Sequence, residues 1–315
     1  MKLAFVFPGQ GSQSVGMLRD YLDLPVVRTT IDEASSALGQ DLFALVENGP
    51  EEALNQTTNT QPIMLAADIA VYRAWQALGG PAPVLAAGHS LGEYAALVAG
   101  GALGFAEAMK LVRVRADAMQ QAVPEGQGGI AAILGLDADL VAAACAEAAG
   151  DEVVSPANLN APGQIVIAGG KAAVGRAIEA CKARGAKRAV LLPMSVPSHC
   201  ALMRPAAETL AGALAGIALK SPAFPIINNV DVREATTPAE IADALVRQLY
   251  CPVRWIEIVT AMQAAGVTHI VECGPGKVLH GMVRRIATDV TSATLSSAQA
   301  IADTLASIGQ TGETA

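Results

Sequence analysis

The sequence predicts an α/β protein: a larger domain built on a parallel sheet flanked by helices, interrupted by a smaller inserted domain. Three observations predict it. Short apolar runs alternate with stretches of helical spacing along most of the chain, the pattern of strand–helix–strand units. Between residues 130 and 193 the order becomes β-α-β-β-α-β, the ferredoxin-like arrangement. The pentapeptide Gly88-His89-Ser90-Leu91-Gly92 stands where an apolar run gives way to a helical one, as a serine on a strand-to-helix elbow does.

Leu3 to Phe7 reads as a strand and Gly9-Gln10-Gly11-Ser12 as a loop. Pro62 to Leu78 reads as a long apolar helix. Val84 to Ala87 is the strand before the elbow, and Leu91 to Val98 and Phe105 to Ala122 are helices after it. Glycines and a proline cluster at Pro124 to Gly129 and mark a domain boundary. The insert then reads Ile130–Leu136 (strand), Asp139–Ala149 (helix), Val153–Leu159 and Gln164–Ala168 (strands), Ala172–Arg184 (helix) and Lys187–Pro193 (strand). After Pro197 the larger domain resumes with a helix at Met203–Ala215, a strand at Pro225–Val230 and helices at Pro238–Leu249 and Ile256–Ala265. His269–Glu272 is a strand, ending in Gly274-Pro275-Gly276 before a helix at Lys277–Ile286. The division is therefore residues 1–124 and 198–315 for the large domain and 125–197 for the small one.

Composition excludes several classes. A length of 315 residues suits one large or two modest domains. The chain is 52% hydrophobic but only 3% aromatic, so its core is built from small aliphatic side chains. A net charge of −8 argues against a nucleic-acid binder, while leaving room for a local basic patch. The five cysteines, Cys145, Cys181, Cys200, Cys251 and Cys273, are scattered and form no Cys-x-x-Cys, so free thiols are expected rather than disulfides or a zinc site. No signal peptide or membrane-length apolar run is legible, and a cytoplasmic protein is expected.

A serine hydroxyl is a weak nucleophile until a base stands within hydrogen-bond reach. Four histidines are available. His89 adjoins Ser90, and neighbouring side chains on an elbow splay apart. His269 lies in an apolar strand and reads as a core histidine, and His280 lies in a helical stretch. His199, in the loop where the insert rejoins the large domain, is the best placed, because domain junctions form clefts. No acid announces itself to orient it: Asp231, Glu272 and a backbone carbonyl all remain open. An oxyanion hole needs two N–H donors. Leu91, just after the serine, supplies one, and Gln10 in the glycine loop after the first strand is the natural second. Arg113 and Arg115 follow on the next helix. Either guanidinium could grip a substrate carboxylate with paired hydrogen bonds, and the residues alone do not choose between them.

Taken together these stretches resemble the malonyl-CoA:acyl carrier protein transacylase family of bacterial dissociated fatty-acid synthesis. The resemblance runs to about Leu295. It rests on Phe7-Pro8-Gly9-Gln10-Gly11-Ser12-Gln13, Gly88-His89-Ser90-Leu91-Gly92-Glu93-Tyr94, Pro156 to Gly169, Ser195-Val196-Pro197-Ser198-His199-Cys200, Asn228-Asn229-Val230-Asp231, Gln248 and Gly274-Pro275-Gly276-Lys277-Val278-Leu279. It implies an α/β-hydrolase-like large domain with a ferredoxin-like insert. It implies Ser90 as nucleophile, His199 as base, the Gln248 carbonyl orienting the histidine, Gln10 and Leu91 as oxyanion donors, and Arg115 holding the malonyl carboxylate. The tail after about Ser297 carries no motif.

The implied substrates are malonyl-CoA and an acyl carrier protein bearing phosphopantetheine, with no metal or redox cofactor, no membrane and a monomeric enzyme. Because carrier proteins are acidic, two basic clusters are candidate docking contacts: Lys187 and Arg188 with Lys182 and Arg184, and Arg284 and Arg285 with Lys277. Either could equally be a solvated charged face. A serine thioesterase or esterase, a polyketide-type acyltransferase and a non-catalytic acyl-binding module are the competing readings.

Overall fold

The computed structural model of this chain describes residues 1–192 and 196–310. After β1 (Leu3–Phe7) come α1 (Pro25–Leu38), α2 (Leu42–Asn48), α3 (Glu51–Leu54), α4 (Thr57–Ala77), β2 (Leu85–Gly88), α5 (Gly92–Ala99) and α6 (Phe105–Gln121). The next stretch holds β3 (Gly128–Leu134), α7 (Ala138–Ala149), β4 (Val154–Ala161), β5 (Gln164–Gly170), α8 (Lys171–Ala183) and β6 (Arg188–Leu191). The last holds α9 (Arg204–Leu214), β7 (Ile226–Ile227), α10 (Pro238–Gln248), α11 (Trp255–Ala264), β8 (His269–Glu272), α12 (Val278–Ile286), β9 (Thr291–Thr294) and α13 (Ala298–Gln310).

This is an α/β chain with a five-stranded sheet in the order β7-β2-β1-β8-β9, every neighbouring pair parallel. β1 lies in the middle and all five of its residues are buried, as a parallel strand covered on both faces requires. Alternate side chains go to opposite faces. Phe5 and Phe7 meet Tyr72, and Phe5 also meets Trp75, on α4 in edge-to-face contacts. Ala4 and Val6 pack with Trp255, Ile258 and Val283 from α11 and α12. The functional loops after β1 and β2 therefore leave a rigid centre.

The second sheet is antiparallel, in the order β4-β5-β3-β6. Ala131 and Ile133 of β3 face α7 and α8 with Val141, Ala177 and Cys181. Ile130 and Ala168 face the other way and pack with Cys200 of the large unit. The two units are also tied by backbone. Leu159 donates to the Val253 carbonyl and Val253 donates to the Ala157 carbonyl, both at 2.9 Å. Arg285 on α12 adds bonds to Gln164 Oε1 and the Pro162 carbonyl, each 2.6 Å.

Several expectations need correcting. α4 begins at Thr57, so Pro62 sits inside it rather than at its start. A proline there cannot donate to the carbonyl four residues back. That carbonyl, on Thr58, instead accepts Nη1 of Arg113 at 2.5 Å, which repairs the gap. The expected strand Pro225–Val230 shrinks to Ile226–Ile227, because Asn228 Oδ1 accepts the N–H groups of Val230 and Asp231 and turns the chain. His269 is a half-buried strand-end residue bonded to Thr268 Oγ1, not a core histidine. Helices α1 to α3, strand β9 and helix α13 were not foreseen, although Ile301 of α13 is fully buried. The last insert strand spans Arg188–Leu191, and Pro193 and Ser195 lie outside the described residues. Among the described residues no helix is long and apolar enough to cross a membrane.

Candidate active site

The elbow is forced by contact. A Cβ on Gly88 would lie 1.8 Å from the Gly92 carbonyl carbon, and one on Gly92 would lie 2.0 Å from the Phe7 carbonyl oxygen. Only glycine lets β2, α5 and the end of β1 meet there. Between them Ser90 is held at φ +51°, a left-handed conformation that side chains other than glycine seldom adopt. Asn229 braces it: its Oδ1 accepts the Ser90 N–H at 2.7 Å, and its Nδ2 donates to the Gly88 carbonyl at 2.6 Å.

His199 is buried, and its Nε2 lies 2.7 Å from Ser90 Oγ. Its Nδ1 lies 2.8 Å from the backbone carbonyl of Gln248. A carbonyl only accepts, so Nδ1 carries the proton and Nε2 presents its lone pair to the serine. Helix α10 makes that carbonyl available. It starts in a Thr237–Glu240 capping box with Pro238 in its first turn and ends at Gln248, where the last carbonyls have no helical partner. The His199 N–H also donates to Leu249 O at 2.9 Å, docking the histidine loop on the helix end. Burial first, and the Arg115 cation second, push the imidazole down to a pKa of about 3.

Neither acid left open by the sequence serves His199. Asp231 forms a two-bond pair with Arg247, which holds its carboxyl below the usual range. Glu272 accepts the His280 N–H at the start of α12. Of the other histidines, His89 bonds Asn160 Oδ1 at 2.8 Å and packs edge-on to Trp255, while His280 bonds Ser292 Oγ.

The two arginines part ways. Arg113 is spent on Thr58 O and Gln40 Oε1. Arg115 is 1% exposed and reaches Gln61 Oε1 at 2.6 Å, Gln248 Oε1 at 3.0 Å and Ser90 Oγ at 3.2 Å. The guanidinium lies 5.5 Å from the Tyr94 ring centroid, and among the described residues its Nε donates no hydrogen bond and it makes no ion pair with a carboxylate. Glu93, on α5, is also buried and is raised to about 7, chiefly by desolvation. Gln61, Glu93, Asn160 and Asn229 were missed in the sequence as site residues. Three of them had a visible signal: Glu93 is the single charge in the apolar run Leu91 to Val98, and Asn160 and Asn229 lie in matching stretches.

A cavity of about 160 Å³ lies over these groups, lined by Gln10, Ser90, Leu91, Arg115 and His199 from the large unit and by Ile130, Asn160 and Leu192 from the small one. Among the described residues, no hydrogen bond takes the backbone N–H of Gln10 or Leu91. Lys187 and Arg188 are exposed beside β6, and Arg284 is exposed on α12, whereas Arg285 is engaged in the tie to the insert. Among the described residues no group of three or more His, Cys, Asp or Glu side chains could hold a metal.

A family model described as an acyl transferase domain matches residues 4–305. The chain is 57% identical over 305 residues to the malonyl CoA-acyl carrier protein transacylase of Escherichia coli (strain K12), covering 96% of this chain and 99% of that one. The crystal structure of an acyl-carrier-protein S-malonyltransferase from Burkholderia pseudomallei 1710b matches with TM-score 0.95 at 55% identity, over 97% and 99% of the two chains. A malonyl-transacylase solved in complex with a type II PKS acyl-carrier protein matches with TM-score 0.95 at 53% identity, over 96% and 98%. On this match across nearly its whole length, the chain belongs to the acyl transferase domain family.

Proposed function

We propose that this chain transfers the malonyl group of malonyl-CoA to the phosphopantetheine thiol of an acyl carrier protein, through a malonyl ester on Ser90, and so supplies fatty-acid elongation. The observation that carries this reading is Arg115: a buried guanidinium, 3.2 Å from the nucleophile, held by two neutral amides beside the Tyr94 ring, with Glu93 acting on it only at longer range and no carboxylate in ion-pair contact among the described residues. A buried cation without an anion is costly. A malonyl carboxylate fits that need, and an acetyl group does not. The names of the relatives, and the carrier protein bound to one of them, support the same substrates.

In the first half-reaction His199 Nε2 takes the Ser90 proton as Oγ attacks the thioester carbonyl. The N–H groups of Gln10 and Leu91 receive the oxyanion; a donor of this kind is typically worth ~10²–10³ in rate. The intermediate collapses, the C–S bond breaks, and the CoA sulfur leaves with the proton from Nε2. In the second half the carrier thiol gives its proton to Nε2 and attacks the ester carbonyl, and Ser90 Oγ recovers the proton on leaving. A malonyl carboxylate against Arg115 offsets the cation that depresses His199, so substrate binding itself makes the base stronger.

The chemistry requires no metal or redox cofactor. The large unit reads as α/β-hydrolase-like (residues 1–124 and 198–315) and the insert as ferredoxin-like (125–197), supported by the parallel sheet and by the strand order of the antiparallel one. A monomer in the cytoplasm fits this role, and Lys187, Arg188, Arg284 and Lys277 are exposed basic groups open to carrier docking.

Intact-protein mass spectrometry after malonyl-CoA treatment tests the reading. A stable malonyl adduct is expected on the wild type and none on Ser90→Ala. Steady-state lines for the two substrates should run parallel. Rapid turnover to free malonate without an acceptor would instead make the chain a thioesterase.

A further inference from the structure

Glu93 has an unusual position for a carboxylate. It is 3% exposed and makes no ion pair within 4.0 Å among the described residues. Nor does any side-chain bond cap α5, the helix on which it lies. Burying such a group is expensive unless its bonds are used. Its Oε2 accepts two of them: Gln248 Nε2 at 2.8 Å and the Asn229 N–H at 3.0 Å.

Both partners reach the reacting groups. Asn229 braces the strained Ser90 backbone. Gln248 offers its backbone carbonyl to His199 and its side chain to Arg115. The polarity of that amide is fixed by what surrounds it. Gln248 Nε2 faces only acceptors: Glu93 Oε2, the Ser90 carbonyl at 2.9 Å and Asn229 Oδ1 at 3.4 Å. Its Oε1 must then face Arg115 Nη2, at 3.0 Å. A flipped amide would set N–H against N–H. Gln248 also keeps the carboxylate one side chain away from the guanidinium. Direct contact would pair Arg115 internally and remove the charge that a substrate carboxylate meets.

We infer that Glu93 is a positioning residue for substrate selection: through the Gln248 amide it aims Arg115 at the acyl carboxylate without neutralising it. This rests on the reading of Arg115 given above. The test compares kcat/KM for malonyl and acetyl transfer from CoA in the wild type, Glu93→Ala, Glu93→Gln and Arg115→Ala, with a melting curve for each. Glu93→Ala should lower the malonyl-to-acetyl ratio roughly tenfold, mainly through KM for malonyl-CoA. Glu93→Gln, which keeps an acceptor oxygen, should return the ratio to within about threefold of wild type. Equal slowing of both acyl groups, with the ratio unchanged, would mean a structural carboxylate only and overturns the inference. Failure of the underlying reading has a different signature: Arg115→Ala would keep the malonyl preference, and the inference would fall with it. If the alanine variant does not fold, Glu93→Met, which fills the space without an acceptor, replaces it under the same criterion.

Discussion

Two groups of buried polar side chains flank the central strand β1, one beyond the end of β2 and one beyond the end of β8. Around Ser90, the polar atoms of His199, Gln248, Asn229 and Glu93 are paired at 2.6–3.0 Å, and Arg115 keeps one open N–H. Around Asp68 the picture is reversed. Among the described residues both of its carboxyl oxygens and Glu272 Oε1 are buried with no hydrogen-bond partner, beside Gly274, whose missing Cβ would lie 2.3 Å from Asp68 Oδ1. Burial, and then Glu272, raise Asp68 well above the usual carboxylate range, and Glu272 rises to about 7. Both clusters are buried and both contain shifted groups, so neither burial nor a shifted pKa separates chemistry from packing. What separates them is direction. A partnered group such as Glu93 is aimed by its hydrogen bonds, whereas Asp68, with none among the described residues, is driven towards its neutral form and aims at nothing.

Substitutions should break the first cluster by rate and the second only by stability. The largest effect is expected from His199→Ala, which removes the base and should slow Ser90 acylation by ~10²–10⁴, read in a single-turnover experiment. Next, Arg115→Ala should lower malonyl acylation by ~10² while acetyl acylation changes little, since a charge-assisted bond pair is lost only with the carboxylate substrate. A smaller effect concerns pH. His199 sits near 3, so the free enzyme keeps its base neutral well below pH 6.5, and activity falls only as pH drops through that low value. Arg115→Ala removes a cation that contributes to this depression. The acid limb of kcat/KM for acetyl-CoA should then move up towards 6.5; a limb that stays put would mean that burial alone sets the base.

Much of this division was legible in the residues, but unevenly. The elbow, the glycine loop and the histidine at the domain junction are local patterns, and they led to Ser90, Gln10 and His199. The roles of Arg115 and the Gln248 carbonyl came from family resemblance, because a backbone carbonyl has no signature in the side-chain alphabet. Arg113 and Arg115 could not be told apart by spacing. The difference lies in Pro62, fifty residues away, which frees the Thr58 carbonyl that occupies Arg113. Helix α1 does set Val27, Ile31 and Ala34 on one buried face at helical spacing, whereas α2 and α3, at seven and four residues, are too short to show a period and are fixed by docking on the core. Asp68, the single charge in the apolar run Pro62 to Tyr72, carries the same signal as Glu93, and that signal alone does not tell a positioned acid from one without partners.

Asp68→Asn offers the gentlest test of the comparison. Burial first, and Glu272 second, favour the protonated form of Asp68 in the fold, whereas the unfolded chain releases that proton near the ordinary aspartate pKa. The native state therefore binds more protons than the unfolded one, and stability from this group is lost as pH rises towards the folded value. A single such proton contributes a slope of up to about 1.4 kcal/mol per pH unit. Asparagine keeps the shape and has no proton to lose, so in denaturant melts the variant should gain on the wild type as pH rises from the ordinary aspartate value towards the raised value of the fold. The slope of Glu93 is shared by both proteins and cancels in the difference, whereas Glu272 is coupled to Asp68, so the difference reports the pair. Malonyl transfer should be unchanged, because nothing around Asp68 aims at the cavity. A difference in stability that is flat with pH would show that Asp68 is ionised in the fold, and a drop in transfer would join the two clusters into one site.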